Sequence, residues 1–199
     1  MDNTQDIGTE ARILAAAEEV FMMHGYDVAR MQTIAQTACI NKAMLHYYFR
    51  SKEKLFEMVM VRQITSFLPE ATAAFSTPMS LRERIAAFIE VYLHFLSANP
   101  RLPMFILFSL SRHPEFVKFL PRTMYDMITS YLEAEMQAGR LRRMDPGHLL
   151  ISMISMCIFP FIARPMAMHM MNKTDAEYNS FLAQRKSEIM QLINTIITP

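Results

Sequence analysis

Between Thr33 and Phe56 the chain reads TIAQTACINKAMLHYYFRSKEKLF, a stretch whose side chains suit contact with nucleic acid. Lysine and arginine neutralise phosphate, while asparagine, lysine, histidine and tyrosine on a short helix reach base edges. Between Asp27 and Glu57 the cations are Arg30, Lys42, Arg50, Lys52 and Lys54, against the single anion Glu53. Five cations against one anion make a local basic patch on a chain whose formal net charge is only +1. Helical spacing puts Ile34, Ala35, Ala38, Ile40, Leu45 and Phe49 inward. Ala43 and Tyr47 then point away from that core, with Met44 and His46 on the flanks. Asn41 and Lys42 stand at the amino end of the second short helix, where base edges and phosphates are within reach. Lys52 and Lys54 open the next helix, placed for phosphate.

These side chains need elements to hold them. Residues 9–24 predict a first helix with the apolar stripe Ile13, Leu14, Ala17, Val20 and Phe21, capped at Thr9 and stopped by Gly25. Residues 31–39 and 42–49 predict the two short helices of a helix-turn-helix. Ser51 caps a longer helix from Lys52 to about Ala74, with a kink or break expected at Pro69. Residues 77–79 form the break between head and body. Ser80-Leu81-Arg82-Glu83 and Thr174-Asp175-Ala176-Glu177 are capping boxes that open helices to about Ala98 and Ile197. Between them, helices are expected over 103–111, from Pro121 to Gly139, and from the Asp145-Pro146 start to about Arg164. The expectation is an all-α protein of about nine helices. Residues 1–52 are expected to form a DNA-binding head, and 53–199 a helical body expected to serve ligand binding and dimerisation.

The wider composition agrees. Hydrophobic residues make up 52% of the 199 positions and charged residues 20%, enough to bury a full core. Cys39 and Cys157 are far apart and read as free thiols in a reducing cytoplasm. The acidic amino terminus is no signal peptide. The apolar run 149–163 falls short of the ~20 residues that span a bilayer, so no membrane partner and a cytoplasmic location are expected.

The segment 9–57 resembles the DNA-binding head of TetR-family transcriptional repressors. The resemblance rests on ARILAAAEEVFMMHGYD followed by TIAQTACINKAMLHYYFRSKEKLF. Its pattern is a first helix ending in His-Gly-Tyr, Ile-Ala on the second helix, an aromatic run on the third, and Phe-x-Ser-Lys-Glu-x-Leu after it. Carried over by position, it implies recognition contacts at Asn41, Lys42, Ala43, His46 and Tyr47. Phosphate contacts fall on Tyr48, Lys52 and the start of the second helix, taken here as Arg30 and Thr33. The chain departs from the family pattern in three places. Cys39 stands where the turn usually has glycine, Ala29-Arg30-Met31 lacks the usual hydroxyl cap, and Asn41 replaces a small serine. Arg30 is expected to supply the phosphate contact that the missing hydroxyl would make.

In the body, Leu149, Leu150, Ile151, Met153, Ile154, Met156, Ile158 and Phe159 cover nearly every side of one helix, which predicts burial on both faces. Phe181, Leu182, Ile189, Leu192, Ile193 and Ile196 form a broad stripe on the last. The resemblance implies a homodimer joined through these two helices, with Leu150, Ile154, Ile158, Phe181, Ile189, Leu192, Ile193 and Ile196 at the interface. Such a dimer would offer two recognition helices to a near-palindromic double-stranded operator. Twenty methionines and fourteen phenylalanines suit an adaptable apolar cavity for a small-molecule effector. Its candidate lining is Phe88, Tyr92, Phe105, Phe108, Met127, Tyr131, Met153 and Cys157.

The expected function is therefore a ligand-responsive repressor, without enzymatic activity and without a cofactor or metal. The alternative is an all-helical dimeric small-molecule-binding protein whose head does not read DNA. Asp145, His148 and Ser152 share a helix face, but no glycine elbow or oxyanion loop accompanies them, and Asp145 is better explained as a cap. Met166, Met168, His169, Met170 and Met171 are a soft-ligand cluster, read as a methionine-rich connection. Arg140, Arg142 and Arg143 are read as a solvated loop.

Overall fold

The computed structural model describes residues 3–76, 78–120 and 122–197, except the side chains of 3–7, 76 and 196. Among these residues the chain is all-α, with eleven α-helices, one 3-10 helix and no strand. The order is α1 (Asn3–Val28), α2 (Met31–Thr37), α3 (Lys42–Tyr48), α4 (Lys52–Thr65), α5 (Leu68–Ser76), α6 (Leu81–Ala98) and α7 (Leu102–Arg112). The 3-10 helix Pro114–Phe119 follows, then α8 (Thr123–Gln137), α9 (Pro146–Ile162), α10 (Arg164–Met170) and α11 (Asp175–Ile197).

Two differences from the expected nine helices have local causes. The long helix from Lys52 is two helices, because Pro69 has no N–H and its ring excludes the carbonyl four residues back. That carbonyl belongs to Thr65, the last residue of α4. The methionine-rich connection is itself helical, as α10, and meets α9 at 77°. Thr9 is no cap, since α1 already runs from Asn3; Gly25, with non-helical φ 74° and ψ 168°, stops the continuous helix as expected, and a short helical turn follows it to Val28. The break expected at 77–79 and the one at Pro121 each include a residue, 77 and 121, outside the described ones.

The chain divides into two compact units. The first is Met1–Ser66 with Met104–Pro121, and the second is Phe67–Pro103 with Arg122–Pro199. This division differs from the expected functional boundary at 52/53, which falls at the start of α4.

In the first unit, α1 packs on α2 and α4, and its stripe Ile13, Leu14, Ala17, Val20 and Phe21 is buried, as are Ile34, Ala35, Ala38, Leu45 and Phe49. Ile40, expected inward, is only half-buried. A second layer is aromatic. Phe56 of α4 lies with ring centroids 5.0 Å from Phe21, 4.8 Å from Tyr26, 5.7 Å from Phe105 and 4.9 Å from Phe116. Residues 104–120, which the sequence assigns to the body, thus pack on the head.

In the second unit, Ile85, Phe88, Ile89, Ile128, Leu132, Leu149, Leu150, Met153, Cys157, Ile189 and Ile193 form one core from α6, α8, α9 and α11. Both capping boxes form as expected. Glu83 Oε2 accepts from Ser80 N at 2.8 Å, and Glu177 Oε2 accepts from Thr174 N at 2.8 Å. Among the described residues no single helix is long and apolar enough to cross a membrane.

Helix α9 contains Pro160, which cannot donate to the Met156 carbonyl one turn back. Arg185 Nη2 of α11 donates to that carbonyl instead, at 3.0 Å. One turn away, the Tyr178 hydroxyl donates to the Pro160 carbonyl at 2.8 Å, with Tyr178 fully buried. Arg185 thereby satisfies the carbonyl that the proline leaves open, and Tyr178 satisfies one of the last carbonyls of α9, which a helix end leaves without an intrahelical partner. Tyr178→Phe keeps the ring but orphans a buried carbonyl, so it should lower unfolding free energy by about 1–2 kcal/mol. A urea melt that leaves the midpoint unchanged would remove this hydrogen bond from the account of the fold.

Candidate nucleic-acid interface

The recognition helix α3 has seven residues, too few to persist alone in water. Three features hold it. Leu45 and Phe49 are buried on one side. Asn41 caps its amino end, with Oδ1 accepting from Met44 N at 2.7 Å. The turn before it is a closed Schellman motif, in which Cys39 N donates to Gln36 O and Ile40 N to Ala35 O, each at 3.0 Å. Cys39 takes the left-handed position with φ 53°. The same two-bond pattern ends α8 with Gly139 at φ 72° and α10 with Asn172 at φ 50°. The turn therefore keeps the geometry that favours glycine while carrying a β-carbon.

With its inner side fixed, α3 turns Lys42, Ala43, Met44, His46 and Tyr47 to the outside. Tyr47 is 79% exposed, a large value for an aromatic ring on an ordered helix. It meets Tyr48 edge-on at 5.4 Å, and Tyr48 is half-buried. Arg30, Asn41 and Lys42 are exposed, and Thr33 is half-buried in the first turn of α2. Arg30 occupies the N-cap of α2 and makes no side-chain capping bond, as the missing hydroxyl predicts.

The basic patch is smaller than its formal charge. Lys54 pairs with Glu57 at 3.0 Å, and Glu53 with Lys118 at 3.0 Å. Lys52 is half-buried; Nζ donates to the carbonyls of Asp27 at 3.2 Å and Ala29 at 3.0 Å, and lies 4.5 Å from the centre of the Tyr26 ring. Burial holds its ammonium below the usual lysine range, with Asp27 opposing. Lys52 closes the carbonyl end of α1, leaving at most one N–H for phosphate. Arg30, Lys42 and Arg50 form no ion pair among the described residues.

A polar clasp joins Arg112 and His113 to the end of α1. His113 Nε2 meets Asp27 Oδ1 at 2.8 Å, and Nδ1 meets Glu115 Oε1 at 3.2 Å. Arg112 Nε donates to Asp27 Oδ2 at 2.7 Å. The His113 ring stacks on Phe116 at 4.9 Å and meets the Tyr26 edge at 5.0 Å. Sequence reasoning missed this clasp, because its partners are 85 and 86 residues apart.

The body candidates fall into two groups. Phe88, Met153 and Cys157 are buried in the core of the second unit, and Tyr92, Met127 and Tyr131 pack partly buried against it. Burial pushes the Cys157 thiol up to about 12, with Arg185 opposing, and raises the Tyr92 phenol, so both are neutral packing groups. Phe105 and Phe108 do not join them. Phe105 belongs to the aromatic layer around Phe56, and Phe108 is 53% exposed on the first unit. Spacing placed them on a body helix, but the last part of α7 packs with the head.

The proposed interface set needs a similar correction. Leu150, Ile189 and Ile193 are buried within their own chain and have no surface to offer a partner. Ile154, Ile158 and Phe181 are half-buried, Leu192 is 54% exposed, and the Ile196 side chain lies outside the described residues. On α9 the exposed apolar side chains are Ile151 at 58% and Phe159 at 56%, two turns apart on one face. A helix apolar all round does not reveal from its sequence which side meets its own core. The face shared by Asp145, His148 and Ser152 is structural: Asp145 Oδ1 accepts from Gly147 N and His148 N, while Ser152 Oγ donates to the His148 carbonyl.

Residues 13–59 match the model of bacterial regulatory proteins of the tetR family. Over these residues the chain carries a domain of this family. It is 28% identical over 142 residues to the HTH-type transcriptional regulator RutR of Escherichia coli, covering 69% of this chain and 66% of RutR. It is 33% identical over 85 residues to the transcriptional activator FasR of Mycolicibacterium smegmatis, covering 43% and 39%. Against the transcriptional repressor NicS of Pseudomonas putida it is 33% identical over 117 residues, covering 56% and 46%. The match spans less than two thirds of each of these relatives, all regulators of transcription by name. The fold matches Streptomyces coelicolor SCO4942 with a TM-score of 0.75 at 20% identity, over 95% of this chain and 98% of that one. It also matches the fatty acid degradation regulator FadR of Bacillus halodurans, with a TM-score of 0.67 at 14% identity, over 90% and 93%.

Two outcomes follow from this geometry. Cys39→Gly relieves a left-handed backbone that costs an L-residue roughly 1–2 kcal/mol, partly offset by the greater freedom of unfolded glycine. It should raise the thermal midpoint by a few degrees, and a lowered midpoint would mean that the thiol packs favourably. For His113, the Asp27 hydrogen bond and then Glu115 hold the imidazole above its ordinary range against burial. A raised folded value contributes stability below the unfolded value of about 6.5, and that stability is lost as pH rises through the folded value. Asp27, held low first by His113, loses its contribution only in acid. Thermal melts between about pH 6 and pH 8 should show stability falling with pH, and His113→Asn should flatten the trend.

Proposed function

We propose that this chain is a homodimeric transcriptional repressor that binds a near-palindromic operator and is released by a small, apolar effector. The observation that carries the reading is the outer face of α3. Lys42, Ala43, His46 and Tyr47 stand exposed on a helix whose other side is fully buried, the disposition of a recognition helix that lies in a major groove. Arg30, Lys42 and Arg50 supply phosphate contacts, and Lys52 orients the helix start by closing α1. Asn41 contributes its amide nitrogen, since Oδ1 is engaged in the cap. Thr33 and Tyr48 flank this surface as secondary backbone contacts.

Dimerisation joins Ile151 and Phe159 of α9 to Leu192 of α11, with Ile154, Ile158 and Phe181 at the margin. Exposed apolar side chains on two long helices support this reading. The effector occupies the second unit near Phe88, Tyr92, Met127, Tyr131, Met153 and Cys157, where methionine and aromatic side chains can repack. It acts by favouring a conformation in which the two heads no longer match the half-sites. α4 and α5, joined through the break at Pro69, are a direct chain connection for that change.

Fluorescence anisotropy with the gene's own upstream DNA tests the reading, beside a Lys42→Ala/Tyr47→Ala double variant. Affinity should fall about tenfold or more between about 50 and 200 mM salt if three or more phosphates are gripped. The double variant should retain its melting temperature and lose specific binding. If selection from random DNA also yields no preferred sequence for the intact dimer, the repressor reading fails and a dimeric small-molecule-binding protein stands in its place.

A further inference from the structure

A cleft of about 710 Å³ opens in the second unit where the start of α6, the end of α8 and the last turn of α11 converge. Three arginines and one carboxylate face it: Arg82, Arg84, Arg140 and Glu135. The charges do not cancel evenly. Glu135 accepts from Arg140 twice, Nε to Oε2 and Nη2 to Oε1, both at 2.8 Å, so these two charges neutralise each other. Arg140 first, and Tyr131 after it, hold this carboxylate below the usual range. Arg140 is exposed in the loop, as expected, and is also half of a pair whose acid is buried.

Arg84 is held differently. Nε donates to the Met79 carbonyl at 3.0 Å, Nη1 donates to the Phe75 carbonyl, and the guanidinium lies 4.8 Å from the centre of the Tyr131 ring. All three partners are uncharged, so they fix the guanidinium without neutralising it. Arg82, two residues earlier, is exposed and forms no ion pair among the described residues. Glu83 lies between them in sequence, but its carboxylate is turned to the Ser80 cap at 2.7 and 2.8 Å and does not line the cleft. The site keeps two positive charges for an incoming anion. Met79, Leu81 and Ile197 supply apolar wall beside them.

We propose that this cleft binds a small amphipathic carboxylate, its anionic end between Arg82 and Arg84 and its carbon skeleton against Met79, Leu81 and Ile197. A planar carboxylate matches the fork of a guanidinium already fixed in place, so little side-chain freedom is lost on binding. The cleft volume lies within the range of small-molecule sites, and its mixed wall disfavours both a bare inorganic anion and a neutral hydrocarbon. The site is separate from the buried residues assigned to the effector, sharing only Tyr131. Binding is read on the protein without DNA, so its failure and that of the repressor reading are distinguishable.

Isothermal calorimetry on the full chain tests it with 4-phenylbutyrate, the matching neutral alcohol 4-phenylbutan-1-ol, and inorganic phosphate. The acid should bind, and the alcohol and phosphate should each bind about tenfold or more weakly. Arg82→Ala removes an exposed side chain and is not expected to disturb folding. It should weaken the acid about tenfold. Arg84→Gln should do the same where its melting curve shows a folded protein. No binding of the acid at about 10 mM, far weaker than a charge-assisted site would give, overturns the proposal. So does unchanged affinity in Arg82→Ala, or equal affinity for acid and alcohol.

Discussion

A helix of seven residues has no stability of its own, and the exposed chemistry of this protein depends on one such helix being held still. Leu45 and Phe49 do the holding through burial, and Asn41 and the closed turn at Cys39 set where the helix begins. Since the periodicity of a helix is fixed, burying two positions on one side decides which others face solvent. Lys42, Ala43, His46 and Tyr47 are presented because Leu45 and Phe49 are not. The polar face is thus a by-product of apolar packing, and disturbance of the α1–α2 core would be felt at the outer face before any outer residue was changed.

Behind that first layer stands Phe56, which touches aromatic rings from α1, α7 and the 3-10 helix. Edge-to-face and tilted contacts of this kind are directional, so they set orientation as well as burying area. The clasp of Asp27, Arg112, His113 and Glu115 surrounds the same cluster with charge. Lys52 also lies against Tyr26, its ammonium shared between ring and carbonyls. A single lysine can therefore serve helix termination and ligand approach, which explains why its position in a motif does not by itself describe its role.

What was legible in the sequence was local. The stripe from Ile13 to Phe21, both capping boxes, the proline at the head of α9 and the inward set of the two short helices all rest on neighbours within a few turns. Pro69 was legible as the place of a kink or break, and the structure makes it a break between two helices. Three things could not be read. Residues 104–120 join the head through rings far apart in sequence, which no periodicity encodes, and this removes Phe105 and Phe108 from the body. The apolar character of α9 extends around its whole circumference, so Leu150 could not be told from Ile151 until packing placed one inside and the other outside. The pairing of Arg140 with Glu135 depends on a tight turn at Gly139 that brings the end of α8 back on itself.

The first compact unit is continuous in space but not in sequence, since it takes residues 104–121 from beyond α5 and α6. A fragment ending near Ser66 would carry the whole reading surface yet leave Phe56 and Tyr26 without Phe105, Phe116 and His113. Exchange of heads between relatives by a single cut would sever the same contacts. Any transplant or chimera that is to keep the recognition helix in register must bring two stretches of polypeptide. The effective module for recombination is therefore longer than the motif that identifies it.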